Sequence, residues 1–85
     1  MSSPDIVRTS AKNALIAADQ AGCRSVAMPV FASGHARVKF DRAVQAMAEA
    51  IRDSQTSVEE VAIVVLERER AEEVRRIVDA VMNGP

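Results

Sequence analysis

The chain of 85 residues carries eleven basic and twelve acidic side chains, which gives a net charge of −1. No basic run is long enough to neutralise a row of phosphates, and an aromatic content of 2% offers no platform for stacked bases, so nucleic-acid binding is not expected. A composition of 48% hydrophobic and 27% charged residues is typical of one small soluble domain, here residues 1–85, and no apolar run approaches the length of a membrane span.

The single cysteine, Cys23, cannot form an internal disulfide, and the sequence holds no Cys/His cluster at metal-ligand spacing. The N-terminus lacks the basic start and the apolar stretch of a signal peptide. The sequence therefore predicts a cytoplasmic protein without a metal or a cofactor. Cys23 is expected to be a small packing residue or a partly exposed thiol.

The first predicted element is a helix from about Pro4 to Ala21. Ser3 can cap its free N–H groups, Pro4 suits the first helical position, and Asp5 faces the helix dipole. Gly22 follows where a left-handed C-terminal cap is expected. The apolar positions at helical spacing are Ile6, Val7, Ala11, Ala14, Leu15 and Ala18.

The segment from Ser25 to Phe31 predicts a strand that is covered on both faces, because it is short, apolar and without alternation. Pro29 removes one hydrogen-bond donor, so it must lie at an edge, a bulge or the end of the strand. A loop then leads to a second helix from about Lys39 to Ser54. The buried positions predicted for this helix are Phe40, Ala43, Val44, Met47, Ala48 and Ile51.

The segment from Ser57 to Glu60 has the form of a capping box, but the residues from Val61 to Leu66 are an unbroken β-type run. The pattern predicts one turn followed by a second strand. A third helix is predicted from about Glu69 to Met82. Its apolar face comprises Ala71, Val74, Ile77, Val78 and Val81. The run 67–70, of alternating Glu and Arg, is typical of a solvated helix start.

This order of elements predicts an α/β fold, helix-strand-helix-strand-helix, whose two parallel strands form a right-handed βαβ crossover. We expect the second helix on one face of the sheet and the first and third helices on the other face, in a three-layer arrangement. Two parallel strands leave open edges, which monomers avoid because bare edges recruit other chains. The sequence therefore predicts a homo-oligomer, most simply a dimer, that completes the sheet.

Open parallel sheets bind ligands at the carboxyl ends of their strands, which gives two candidate places, residues 32–39 after the first strand and residues 67–70 after the second. The loop after the first strand is the better candidate for a ligand site. Ser33 can offer a hydroxyl and Gly34 an unobstructed backbone N–H to an anion. His35, Arg37 and Lys39 add positive character. The alternative is that Ser33 and Gly34 only make the turn while the basic side chains are solvated. No orienting carboxylate accompanies His35, so no catalytic residue is predicted.

Three segments together resemble the C-terminal half of a macro domain. They are the run from Ala21 to Pro29, the Ser33-Gly34 pair before an amphipathic helix, and the run from Val58 to Leu66 before a Glu/Arg-rich helix. The resemblance extends over nearly the whole chain, residues 5–82. Macro domains are three-layer α/β modules that bind ADP-ribose, and some remove it from proteins. The resemblance implies that Ser33 and Gly34 form a phosphate-binding loop for a nucleotide or ADP-ribose-like ligand.

The loop departs from the family pattern, in which the Ser/Thr-Gly pair is followed by a residue, an aromatic and a glycine. This chain has His35, Ala36 and Arg37 there, so a residue with a β-carbon replaces the glycine whose backbone would approach the diphosphate. The family's adenine-reading acid and its asparagine-rich catalytic loop belong to the N-terminal half, and no residue of this chain is assigned those roles. A complete ADP-ribose site within one chain is therefore not expected.

Two functions remain from the sequence. The first is a macro-like module with weak affinity for a phosphate or nucleotide through Ser33, Gly34, His35 and Arg37. The second is a non-catalytic structural or protein-interaction module that dimerises and has lost its ligand. An ADP-ribose hydrolase would need catalytic residues that the chain does not contain.

Overall fold

The computed structural model describes residues 4–30, 39–65 and 67–84. Within these ranges helices and strands alternate in the predicted order, which confirms the α/β class. The elements are helix α1 Pro4–Gln20, strand β1 Ser25–Pro29, helix α2 Phe40–Arg52, strand β2 Glu60–Val64 and helix α3 Arg68–Asn83. Ser3, Phe31 and Leu66, which were predicted to cap α1 and to end the strands, lie outside the described residues.

Strands β1 and β2 pair in parallel, with a register that runs from Ser25 opposite Glu60 to Pro29 opposite Val64. The parallel pairing predicted from the sequence is confirmed. Pro29 is the last residue of β1, one of the positions where a strand tolerates a missing N–H. The strands also start together, because the Arg24 carbonyl accepts the N–H groups of the residues at 59 and 60 at 2.8 and 3.1 Å.

The turn predicted over residues 57–60 is wrong. The backbone has only a bend at 56–57 and then enters β2. Ser57 donates both its N–H and its hydroxyl to the Asp19 carboxylate at the end of α1. Asp19, which is distant in the sequence, thus binds the Ser57 N–H that a capping box would have paired with the Glu60 side chain, and it also binds the hydroxyl that would have accepted a local N–H.

The end of α1 has the predicted glycine cap. Gly22 has a φ of +78°, which suits a residue without a β-carbon. Its N–H donates to the Asp19 carbonyl at 3.0 Å, and the Cys23 N–H donates to the Ala18 carbonyl at 2.9 Å. This pair of hydrogen bonds is a Schellman motif, and it turns the chain from α1 into β1.

The hydrophobic core lies between one face of the sheet and two helices, α1 and α2. Val7, Ala11 and Leu15 of α1 are buried in one cluster with Met28 of β1 and with residues of α2, namely Ala43, Ala46, Met47 and Ala50. Val26, Val61 and Ile63 of the strands pack against this cluster. The prediction that α1 lies on the opposite face of the sheet from α2 is therefore wrong. Small alanine side chains on α2 let the two helices share one side of the sheet.

Helix α3 packs against α2 and contributes one buried side chain, Val74, among the described residues. It leaves the other face of the sheet uncovered, so its predicted position there is also wrong. The residues that point away from the helices are all exposed: Ser25, Ala27, Pro29, Glu60, Ala62 and Val64. The strands are thus covered on one face by this chain, whereas their apolar sequence predicts cover on both faces. No helix of the described residues is long and apolar enough to cross a membrane.

Candidate functional site

The carboxyl ends of the two strands form the edge of the sheet at which a ligand site is expected. Pro29 and Val64 lie opposite each other as the last residues of β1 and β2. The chain therefore leaves both strands at the same level, one connection leading to α2 and the other to α3. In open parallel sheets this edge, in front of the helix N-termini, is where ligands bind.

The predicted ligand-binding residues Ser33, Gly34, His35 and Arg37 lie outside the described residues. Their assignment to a phosphate-binding loop stays a prediction. The described residues that flank the loop are Val30, which packs against the core, and Lys39, which is exposed at the start of α2.

The start of α2 already carries a carboxylate, that of Asp41. Lys39 occupies the N-cap position with extended backbone and no side-chain capping bond, and its carbonyl accepts the Ala43 N–H at 2.9 Å. The Asp41 carboxylate accepts the Arg42 N–H at 2.9 Å. An incoming anion at this helix end would therefore meet an anionic group already in the first turn.

The second connection brings a cation to the same edge. Arg70, in the first turn of α3, places its guanidinium carbon 4.2 Å from the centre of the Phe40 ring at the start of α2. Its Nε lies 3.3 Å from a carboxylate oxygen of Glu67, and its backbone N–H donates to the Glu67 carbonyl. The run from 67 to 70 is thus more than the solvated helix start that the sequence predicts. Nothing in the local pattern links Arg70 to Phe40, which belongs to a different helix.

Other charged groups lie away from this edge and are paired within the fold. Arg8 of α1 contacts Glu49 of α2 at 2.6 Å, and this hydrogen bond raises the pKa of Arg8. The Ser57 hydroxyl and N–H, which donate to Asp19, lower the pKa of that carboxyl. These contacts join α1 to α2 and to the segment before β2, so they stabilise the packing of these elements.

A shallow groove of about 400 Å³ runs between the C-terminal parts of α2 and α3. Its polar lining comes from Gln45, Glu49 and Arg52, and Ile77, Ala80 and Val81 line the other side. Glu49 is already paired with Arg8, and Arg52 with Asp53 at 2.9 Å. Because Glu49 and Arg52 are already paired, the groove has fewer charged groups free to bind a ligand than the carboxyl edge of the sheet.

Cys23 is exposed directly after the Gly22 cap, so of the two predicted environments the structure gives the exposed thiol. Within the described residues, no three His, Cys, Asp or Glu side chains are grouped closely enough to hold a metal ion.

Comparison with known protein families places part of the chain in one of them. A family model of the macro domain matches residues 1–47. The matched stretch contains α1, β1, the predicted ligand loop and α2 as far as Met47. No curated protein matches the chain.

Proposed function

The chain belongs to the macro domain family, and from that premise we propose that it binds a nucleotide of the ADP-ribose type at the carboxyl edge of its sheet. The observation that carries the proposal is the family match over residues 1–47, because it includes β1, the loop after it and most of α2. The level ends of β1 and β2 support it, since they put two connections at one edge.

In this proposal the loop between β1 and α2 contacts the phosphates. The Ser33 hydroxyl and the Gly34 N–H donate to phosphate oxygens, and His35 and Arg37 supply positive charge. Arg37 stands where the family pattern has a glycine, so the backbone approaches the diphosphate less closely there. We therefore expect weak affinity, and we propose binding without hydrolysis because no residue of the chain is assigned the family's catalytic roles.

Calorimetric and thermal-shift titration with ADP-ribose tests the proposal. A ligand that binds the folded state raises the free energy of unfolding by RT ln(1 + [L]/Kd), so even millimolar affinity is measurable. Gly34→Val should abolish binding because its side chain blocks the backbone approach. Arg75→Ala, on the exposed side of α3, is the matched surface control and should bind like the wild type. Absence of any shift at millimolar ADP-ribose would rule out the binding module.

Retained affinity in Gly34→Val would mean that the ligand lies elsewhere on the protein. Arg37→Ala refines the assignment, since a contribution made only by charge fades as the salt concentration rises. If Arg37→Ala and the wild type respond identically to salt, Arg37 takes no part in binding.

A second candidate function, a structural or interaction module that forms a homodimer, is favoured by the uncovered face of the sheet. Four of its six outward positions are apolar, Ala27, Pro29, Ala62 and Val64, and Val64 is 48% exposed. A two-stranded sheet also leaves an unpaired edge on each strand among the described residues. A second copy that packs on this face would cover the apolar positions, and one that pairs strands would complete an open edge.

Sedimentation velocity tests the dimer. Val64→Glu places a charge on the outward face and should shift the protein from dimer to monomer, because an unpaired charge in an apolar interface is costly. Ile16→Glu is the matched control, since Ile16 is 42% exposed but lies on α1. A wild-type protein that sediments as a monomer at micromolar concentration would exclude this candidate.

A further inference from the structure

The contact between Arg70 and Phe40 fixes a guanidinium at the carboxyl edge of the sheet. Its carbon lies 4.2 Å from the ring centre, within the range of a cation–π interaction. Glu67 holds the Nε atom of the same group at 3.3 Å. An aromatic face and a carboxylate together restrict the rotation of a side chain that is otherwise flexible.

The two terminal amino groups of Arg70 are unpaired as far as the described residues go. They carry four of the five N–H donors of a guanidinium. Within the described part of the chain, Nη1 and Nη2 have no hydrogen-bond partner, and the side chain is 40% exposed. A planar fork with two free amino groups matches the spacing of two phosphate oxygens, and such paired contacts are stronger than neutral hydrogen bonds.

The position of the pair connects it to the proposed site. Phe40 is the first residue of α2 and Arg70 lies in the first turn of α3. These helices follow β1 and β2, whose last residues lie opposite each other. The guanidinium therefore lies at the N-termini of the two helices that follow the carboxyl ends of β1 and β2.

We infer that Arg70 is a ligand-binding residue that holds a phosphate group through Nη1 and Nη2, with Phe40 and Glu67 positioning it. The inference rests on the proposed function for the choice of ligand class and adds a residue from the second connection to the site. A purely structural role, tying α3 to α2, would give Arg70 an effect on stability and none on phosphate affinity.

Titration of the full chain with inorganic pyrophosphate at constant ionic strength tests the inference, with the arginine Nε–H signals followed by NMR. The Arg70 signal should shift most among the arginines. Arg70→Ala and Arg70→Lys should both weaken binding about tenfold or more, because lysine keeps the charge but lacks the fork. Phe40→Leu should weaken binding less, since it removes only the support. Arg75→Ala, also an exposed arginine of α3, should bind pyrophosphate like the wild type.

Wild-type affinity in Arg70→Lys, an unmoved Arg70 signal, or no pyrophosphate binding at all would each overturn the inference. The wild-type NMR signal keeps the test valid even if a variant fails to fold. ADP-ribose binding that Arg70→Ala leaves unchanged would sink this inference and keep the proposed function. Pyrophosphate binding through Arg70 without any ADP-ribose binding would support this inference and overturn the proposed function.

Discussion

The two faces of the sheet are built from neighbouring residues of the same strands and have opposite environments. On the inner face Met28 is 2% exposed, against buried residues of α1 and α2. On the outer face Val64 is 48% exposed and nothing within the described residues covers it. Because successive side chains of a strand point to opposite faces, a difference of one position decides whether an apolar side chain belongs to the core.

The two faces therefore have different roles: the inner face stabilises the fold, and the outer face is the one that another molecule could contact. The inner face, with α1 and α2, supplies the buried cluster. The outer face adds little to the stability of one chain, so apolar residues there gain burial only by contact with something else. Substitutions on the two faces should therefore have different consequences, one for unfolding and one for assembly.

The largest expected effect on stability is that of Met28→Ala. Truncating this buried side chain leaves a cavity against α1 and α2, and we expect the free energy of unfolding to fall by about 2–5 kcal/mol in urea titration. Val64→Ala, on the outer face, is the control and should change stability of the monomer by about 0.5 kcal/mol or less. Equal losses in the two variants would show that the outer face is also buried in solution.

A smaller effect is expected for Gly22→Ala at the turn that sets which side of β1 faces α1. No heavy atom lies within 4 Å of the added β-carbon, so the cost comes from the φ of +78° alone. We expect a loss of about 1–2 kcal/mol by thermal or urea unfolding. Gly22→Asn should lose less, because asparagine tolerates the left-handed conformation better. If alanine were as stable as glycine here, the turn would have another conformation in solution.

The elements could be predicted from the sequence because each has a local cause. The apolar spacing of α1 and the glycine at 22 are signals within one segment. The glycine cap is confirmed, and so is the apolar stripe except at Ile6, which is 47% exposed. The helix–strand order also required a parallel crossover, which the pairing of β1 with β2 confirms. The places in the strand where Pro29 could lie followed from its missing N–H alone.

The sides on which the helices pack could not be predicted in the same way. An unbroken run such as 61–65 shows that a strand is apolar, which is equally compatible with cover by this chain and with cover by another molecule. The alanines of α2 allow α1 to pack close beside it, and this depends on contacts between segments rather than on a periodic pattern. The prediction that helices of this chain cover both faces is wrong for this reason.

The candidate site also has one part that a local pattern indicates and one part that only the fold creates. Ser33 and Gly34 were found by turn chemistry and by resemblance, and their role stays a prediction because they lie outside the described residues. The run 67–70 is the second place that the sequence indicates, but the contact of Arg70 with Phe40 could not be predicted because Phe40 belongs to another helix. A local pattern can identify Glu67 as a neighbour of Arg70, but only the fold brings the Phe40 ring to Arg70.

The smallest expected effect concerns the hydrogen bonds between Asp19 and Ser57, which join the end of α1 to the segment before β2. The Ser57 hydroxyl and N–H lower the pKa of Asp19 below its ordinary value of 3.8. A carboxyl with a lower pKa in the folded state stabilises the fold above the unfolded-state pKa. That stabilisation is lost as the pH falls through the folded-state pKa, so it should disappear only below about pH 4.

Urea unfolding of Asp19→Asn and wild type from pH 7 to pH 2.5 measures the effect of these hydrogen bonds. The variant should be slightly less stable at pH 7, because the amide accepts weaker hydrogen bonds than the carboxylate. The difference should shrink as the wild-type carboxyl becomes protonated. Ser57→Ala should show the same convergence, since it removes the donor instead of the acceptor. Asp79→Asn, an exposed carboxylate on α3, controls for the change in net charge. A gap that persists unchanged at pH 2.5 would mean that ionised Asp19 is not what Ser57 stabilises.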